Sequence, residues 1–275
     1  MAASNHSLDR RVLHGVGINT PLGALLEQLC TDSVYTWKDD FDDGLNARHW
    51  GTVASNPEQQ DIRPFEDAGG VSGELVGTTG TTDNAYIGLY GKRAVWSPHL
   101  QCVVQANVTF SAVDSIKFEF GFGQFVIPFD DPNATGLVNV KATPTINTYA
   151  GAFSVLCYDT DDDTTIDIVA RSAGTTVGVA SSGGPTISTV DLTLAVAMHK
   201  GGGTRAWVNG MPIGTVEAAA AAVNRNGTMT TGDNVDHAAG TSQSLWLFVQ
   251  NRADNPGAHV VSLDYVQAWQ GRRAE

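Results

Sequence analysis

The globular part of the chain opens and closes on strands. Thr36-Trp37-Lys38-Asp39-Asp40-Phe41 is followed shortly by Arg48-His49-Trp50. Near the other end stands Val260-Val261-Ser262-Leu263-Asp264-Tyr265-Val266-Gln267-Ala268-Trp269. Both segments are rich in aromatic and β-branched residues, which suit a pleated, half-buried surface. In the second, simple alternation puts Val261, Leu263, Tyr265 and Trp269 on one face and Ser262 and Asp264 on the other. A unit that begins and ends on strands closes most easily by pairing them in one sheet. That pairing leaves residues 1–35 as an arm and 272–275 as a short tail.

The sequence between them keeps the same period. Ile116, Phe118, Phe120 and Phe122 alternate with Lys117, Glu119 and Gly121, which reads as a half-buried strand. Thr165 to Arg171 alternates, and Asp191 to Met198 reads as a strand as well. Ala152 to Tyr158 and Leu245 to Val249 are apolar runs suited to central strands. Asn209-Gly210 lies between Arg205–Val208 and Met211–Val216, the strongest short hairpin signal available. The chain's 30 glycines fit frequent turns. About a dozen short strands make a sandwich or barrel. One segment departs from this. Thr20 is a good N-cap, Pro21 suits the first helical position, and Leu22, Leu25, Leu26 and Leu29 form one apolar stripe. A helix over about 20–30 is marginal alone, so it packs on its own sandwich or docks on a neighbouring subunit. Arg10 and Arg11 belong to the same arm. Glu217 to Val223, mostly alanine, fits a helical turn or a tight strand equally.

Sixteen basic against 29 acidic residues give a net charge of −13. Phosphate neutralisation needs a basic patch, so nucleic acid is excluded as a direct partner. Cys30, Cys102 and Cys157 are odd in number and widely spaced, which favours neither a disulfide framework nor a zinc site. Cys102 and Cys157 lie in apolar runs and read as buried small hydrophobes, consistent with assembly in a reducing cytoplasm. No signal peptide is recognisable, and no segment approaches a membrane span.

A resemblance emerges from four stretches in order. They are Lys38-Asp39-Asp40-Phe41 with Trp50, Lys117-Phe118-Glu119-Phe120-Gly121-Phe122, Ala206-Trp207-Val208-Asn209-Gly210 and Leu263-Asp264-Tyr265-Val266. Together they resemble the concanavalin A-like (laminin-G-like) jelly rolls. More narrowly, they resemble the lectin-like modules of tailed-bacteriophage virion proteins. The resemblance covers about residues 36–271. It implies an all-β, two-sheet antiparallel jelly-roll sandwich carrying an N-terminal arm with a short helix. Such modules include lectins, glycan hydrolases and structural proteins, so function rests on the site.

Glycosidases of this fold carry Glu-x-Asp-x-x-Glu on one strand. The best match here, Ile116 to Phe122, offers only Glu119 beside Lys117, and one carboxylate cannot serve as both nucleophile and acid. Glu119 is expected to pair with a cross-strand neighbour or face solvent. No Gly-x-Ser-x-Gly elbow, Walker loop or His-Glu-x-x-His motif is present. Asp159, Asp161 and Asp163 could offer hard oxygens to calcium. The same residues suit a hairpin turn between Tyr158 and Thr165, and the turn is preferred. Aromatic faces carry sugar sites. Trp96, Trp207 and Trp246 qualify, and Trp96 is favoured because the other two sit in strands.

The expected role is therefore a non-enzymatic structural protein of a tailed-bacteriophage virion. Capsid decoration attached through Arg10, Arg11, Leu22, Leu25, Leu26 and Leu29 is preferred. The partners would be the major capsid protein or tail proteins, and the module would sit on the virion surface as a homo-oligomer. The alternative is a tail or baseplate carbohydrate-binding module for host surface glycan, and a glycan hydrolase comes last.

Overall fold

The computed structural model describes residues 34–55, 61–68, 73–125, 136–141, 145–147, 150–171, 177–180, 185–198, 203–216, 242–252 and 257–271. The arm residues Arg10, Arg11, Leu22, Leu25, Leu26 and Leu29, the alanine-rich run 217–223 and the tail 272–275 lie outside them.

Seventeen strands form among the described residues. The first five are β1 (Val34–Asp39), β2 (Trp50–Ala54), β3 (Ile62–Asp67), β4 (Leu75–Thr79) and β5 (Tyr86–Gly91). A 3-10 turn at Pro98–Leu100 leads to β6 (Val103–Phe110) and β7 (Ile116–Phe125). The short pair β8 (Val138–Val140) and β9 (Thr145–Ile146) precedes β10 (Ala150–Asp159), β11 (Ile166–Arg171) and β12 (Val177–Ala180). The last five are β13 (Asp191–Met198), β14 (Thr204–Val208), β15 (Met211–Val216), β16 (Ser244–Asn251) and β17 (Val260–Gly271). Among the described residues no helix is long and apolar enough to cross a membrane.

The strands build two stacked antiparallel sheets. The eight-stranded sheet runs β15-β14-β13-β6-β17-β4-β3, with β1 also on β17, and the seven-stranded sheet runs β12-β11-β10-β7-β16-β5-β2. This is an all-β jelly-roll sandwich. The end strands do pair. Val34 stands opposite Gly271, Thr36 opposite Trp269 and Asp39 opposite Val266. The Asn209-Gly210 hairpin also forms. Both residues have positive φ, 49° and 76°, as a two-residue turn matched to strand twist requires.

The main core lies between the sheets. It takes Phe118, Phe120 and Phe122 from one side and Val104, Val108 and Leu194 from the other. Alternation on β17 is broken within it. The register slips between Leu263 and Tyr265, so Asp264 is a bulge residue and the side-chain order inverts. Val261, Leu263, Val266 and Ala268 face the core. Tyr265 and Trp269 therefore stand on the opposite face, which corrects the simple alternation expected from sequence. A one-residue slip reverses every later side chain.

A second apolar cluster covers the outer face of the seven-stranded sheet. Tyr86, Phe153, Val155, Trp246 and Phe248 pack there beneath Leu137 and Val138. Strand β7 is consequently buried on both faces rather than half-buried.

Candidate functional site

The outer face of β7 carries the residue that the hydrolase comparison singles out. Glu119 is completely buried. Its Oε2 accepts from the Leu137 amide at 2.8 Å and from Trp246 Nε1 at 2.9 Å. Its Oε1 accepts from the Val138 amide at 2.9 Å, with Lys117 Nζ 3.5 Å away. Lys117 is equally buried and donates to the Val138 carbonyl. The expected cross-strand partner exists, as Trp246, but the solvent does not. The segment from Gly136 to Lys141 lies over this face as a flap, and Glu119 fastens its backbone. Gly136 has φ +82°, and a Cβ there would come within 2.5 Å of Glu119 Oε1. Nothing in this arrangement leaves a carboxylate lone pair open to a bound molecule.

The aspartates 159–163 form the β10–β11 turn. Arg252 Nε donates to Asp159 Oδ1 at 2.9 Å and Nη2 to Asp159 Oδ2. Arg252 Nε also lies 3.4 Å from Asp161 Oδ2. Lys141 Nζ, fully buried, sits 2.5 Å from Asp163 Oδ1, 3.1 Å from Asp167 Oδ2 and 2.6 Å from the Thr165 carbonyl. Burial works against the Lys141 charge, but the hydrogen bond and charge of Asp163 and Asp167 hold its pKa above the ordinary lysine value. Burial likewise lifts the Asp163 pKa, and the bonds from Lys141 and Thr165 outweigh it, leaving a net lowering. Desolvation pushes Asp167 up. The calcium candidates Asp159, Asp161 and Asp163 thus meet the cations of Arg252 and Lys141. Among the described residues no group of three or more His, Cys, Asp or Glu side chains converges to hold a metal.

Trp207 and Trp246 are buried in strands, as expected. Trp96 is buried to 3% exposure as well, so it is no surface platform. Its ring instead lines an aromatic pocket of about 150 Å3. The pocket opens at one end of the sandwich, where β1 of one sheet approaches the end of β5 and the start of β16 of the other. Tyr35, Trp37, His49, Arg93, Val95 and Trp96 form its walls with Gly91 and Leu245.

Local structure explains each wall. Tyr35 and Trp37 are two apart on β1 and so share a face. They stand opposite Gln270 and Ala268, on the inter-sheet side. Tyr35 lies 5.8 Å from Trp96, and Trp96 lies 6.3 Å from Phe122 of the core. Trp96 is also pinned through its backbone, which exchanges hydrogen bonds with Gln243 at 3.1 and 2.8 Å. On the other wall Trp37 packs on Trp50 at 5.2 Å and meets the His49 ring edge-on at 6.3 Å. Trp50 is oriented by donating Nε1 to Asp39 Oδ2 at 2.8 Å. The mouth carries Tyr35, 39% exposed, and Val95, 42% exposed, beside the exposed His49 and Arg93.

Of the pocket residues, the sequence singled out Trp96, as a possible glycan contact, and did not single out Tyr35, Trp37, His49, Arg93 or Val95. The i, i+2 spacing of Tyr35 and Trp37 was the available signal. Chemically the pocket offers aromatic faces for an apolar ring surface and two planar nitrogen donors at its rim. Its volume is below the roughly 300–1,000 Å3 of sites that enclose drug-sized ligands, so it suits one ring-sized group.

No protein-family model matches the sequence, and no curated protein matches it. Solved structures do match. An endo-acting O-glycanase of human gut microbiota, tied to the initiation of mucin breakdown, aligns with TM-score 0.55 at 10% identity, covering 86% of this chain and 99% of its own. An immunostimulatory antigen and pseudo β-1,3-glucanase of Mycobacterium tuberculosis aligns with TM-score 0.53 at 12% identity, covering 86% and 98%. A β-1,3-glucanase from Mycobacterium marinum aligns with TM-score 0.52 at 12% identity, covering 85% and 97%. The fold is thereby that of the concanavalin A-like, glucanase-type sandwiches. None of these three is a phage protein.

Proposed function

We propose that the protein is a non-catalytic carbohydrate-binding sandwich that holds one sugar residue in the pocket of Tyr35, Trp37 and Trp96. The observation that carries this reading is the pocket itself: three aromatic side chains around a ring-sized space, with His49 and Arg93 at its mouth. The non-catalytic part rests on Glu119, which is sealed beneath the flap with backbone and indole donors on both oxygens. Sugar-active proteins and a pseudo-glucanase among the fold neighbours are consistent with it.

A tail or baseplate position, where the module would meet host surface glycan, joins this reading to the sequence resemblance. Capsid decoration, preferred from sequence, has no structural observation behind it, because its attachment residues lie outside the described ones.

Binding of the full chain to a glycan array tests the proposal. Retention of a defined set of glycans is expected. Tyr35→Ala, which removes an exposed ring, should weaken the strongest of them about tenfold, since a stacked aromatic contact with its buried area is worth about 1.4 kcal/mol. An array with no retained glycan, or an unchanged affinity in Tyr35→Ala, would overturn it. Release of reducing ends from the bound glycan above a protein-free control would overturn the non-catalytic part.

A further inference from the structure

We infer that the sugar residue taken by this pocket is anionic, bearing a carboxylate or a sulfate that Arg93 receives. This inference rests on the carbohydrate-binding reading. Arg93 lines the mouth with an exposed side chain, and among the described residues no acidic side chain pairs with it. Among the described residues no carboxylate lines the pocket. Two nearby acids are already engaged: Asp39 accepts from Trp50 Nε1, and Asp40 pairs with Lys38 at 3.0 Å. A cation with no acidic partner among the described residues, beside low-dielectric aromatic walls, makes a locally positive site on a negative molecule.

The geometry also matches the chemistry. Guanidinium presents a planar fork suited to the two oxygens of a carboxylate or sulfate. An acidic sugar has such a group next to an apolar ring face, and Arg93 lines the same pocket as Tyr35 and Trp96. A neutral sugar would stack but leave the fork hydrated. The charge-assisted contact is therefore the specificity element, and the aromatic walls are the affinity element.

Titration calorimetry with three matched probes tests this on the full chain: a galacturonate oligosaccharide, its methyl ester and a sulfated galactose oligosaccharide of the same length. At least one anionic probe should bind about tenfold more tightly than the ester, as expected for a hydrogen bond to a charged group. The preference should shrink at high salt. Arg93→Gln should bring the anionic probe down to about the ester's affinity, and Tyr35→Ala should weaken all three. The uronate and sulfate arms identify which anion is read. Equal affinity for ester and anions, with Arg93→Gln silent, overturns the inference and leaves sugar binding standing. Failure of all three probes, with no glycan retained on the array by a folded chain, overturns both.

Discussion

Gly121 and Gly210 both have positive φ, yet the structure assigns them different roles. A Cβ on Gly121 would sit 2.2 Å from the Ser154 carbonyl oxygen and 3.1 Å from Val155 Cα, both backbone atoms of the adjacent β10. No rotamer relieves that contact. Gly121→Ala should cost more than about 4 kcal/mol or prevent folding, placing it among the rare severe substitutions. At Gly210 nothing lies within 4 Å of an added Cβ. Gly210→Ala should therefore cost only the left-handed backbone penalty, about 1–2 kcal/mol. Urea unfolding of the two variants checks the contrast, and similar losses would show that β7 and β10 can separate. Glu119 tests a different effect. Glu119→Ala leaves the buried Lys117 ammonium without its carboxylate and should cost about 3–5 kcal/mol.

Two charged side chains at opposite ends help to hold the flap over β7. Glu119 fixes Leu137 and Val138, while Lys141 ties its far end to the β10–β11 turn through Asp163, Asp167 and the Thr165 carbonyl. Lys141→Met keeps the stem and removes the ammonium, which leaves the buried Asp167 uncompensated. The expected result is a stability loss of about 3–5 kcal/mol and faster amide exchange at Leu137 and Val138. Unchanged protection at those amides would mean that Lys141 does not help to hold the flap. The opposite end of the molecule depends on β1. Its pairing with β17 presents Tyr35 and Trp37 to the pocket, so a proline at Thr36 should abolish glycan retention while leaving the main core intact.

At the scale of the whole molecule, His259 and Asp163 both contribute to its response to acid. His259 is buried, and its Nε2 lies 3.0 Å from the Ser115 carbonyl. Desolvation lowers its pKa below the ordinary 6.5. The unfolded chain then takes up the proton first, so stability falls as pH drops below about 6.5 and levels off once the folded value is passed. The urea midpoint should decline from about pH 7.5 to about pH 5, and His259→Asn should flatten that decline. Asp163 has the opposite shift cause but the same outcome at lower pH. Its folded pKa lies below 3.8, so its contribution is present above about 3.8 and is lost as pH falls through the folded value. A midpoint independent of pH over both windows would contradict the two assignments.

Period-two patterning, the Asn209-Gly210 turn and the two end strands were legible without coordinates. They depend on local sterics and on one buried face, both of which are written in neighbouring residues. The single acidic side chain on the Ile116–Phe122 strand was legible for the same reason. Three features were not. The Asp264 bulge inverts β17 because of pairing with β6, and no local signal marks a slipped register. The burial of Lys117 and Glu119 depends on a flap whose residues are about 20 positions away in the chain. The pocket unites Tyr35, the stretch from Arg93 to Trp96 and Leu245, three segments far apart in sequence that meet only where two sheets end together. Patterns within a strand decide which face is apolar, but the stacking of the sheets decides what that face meets.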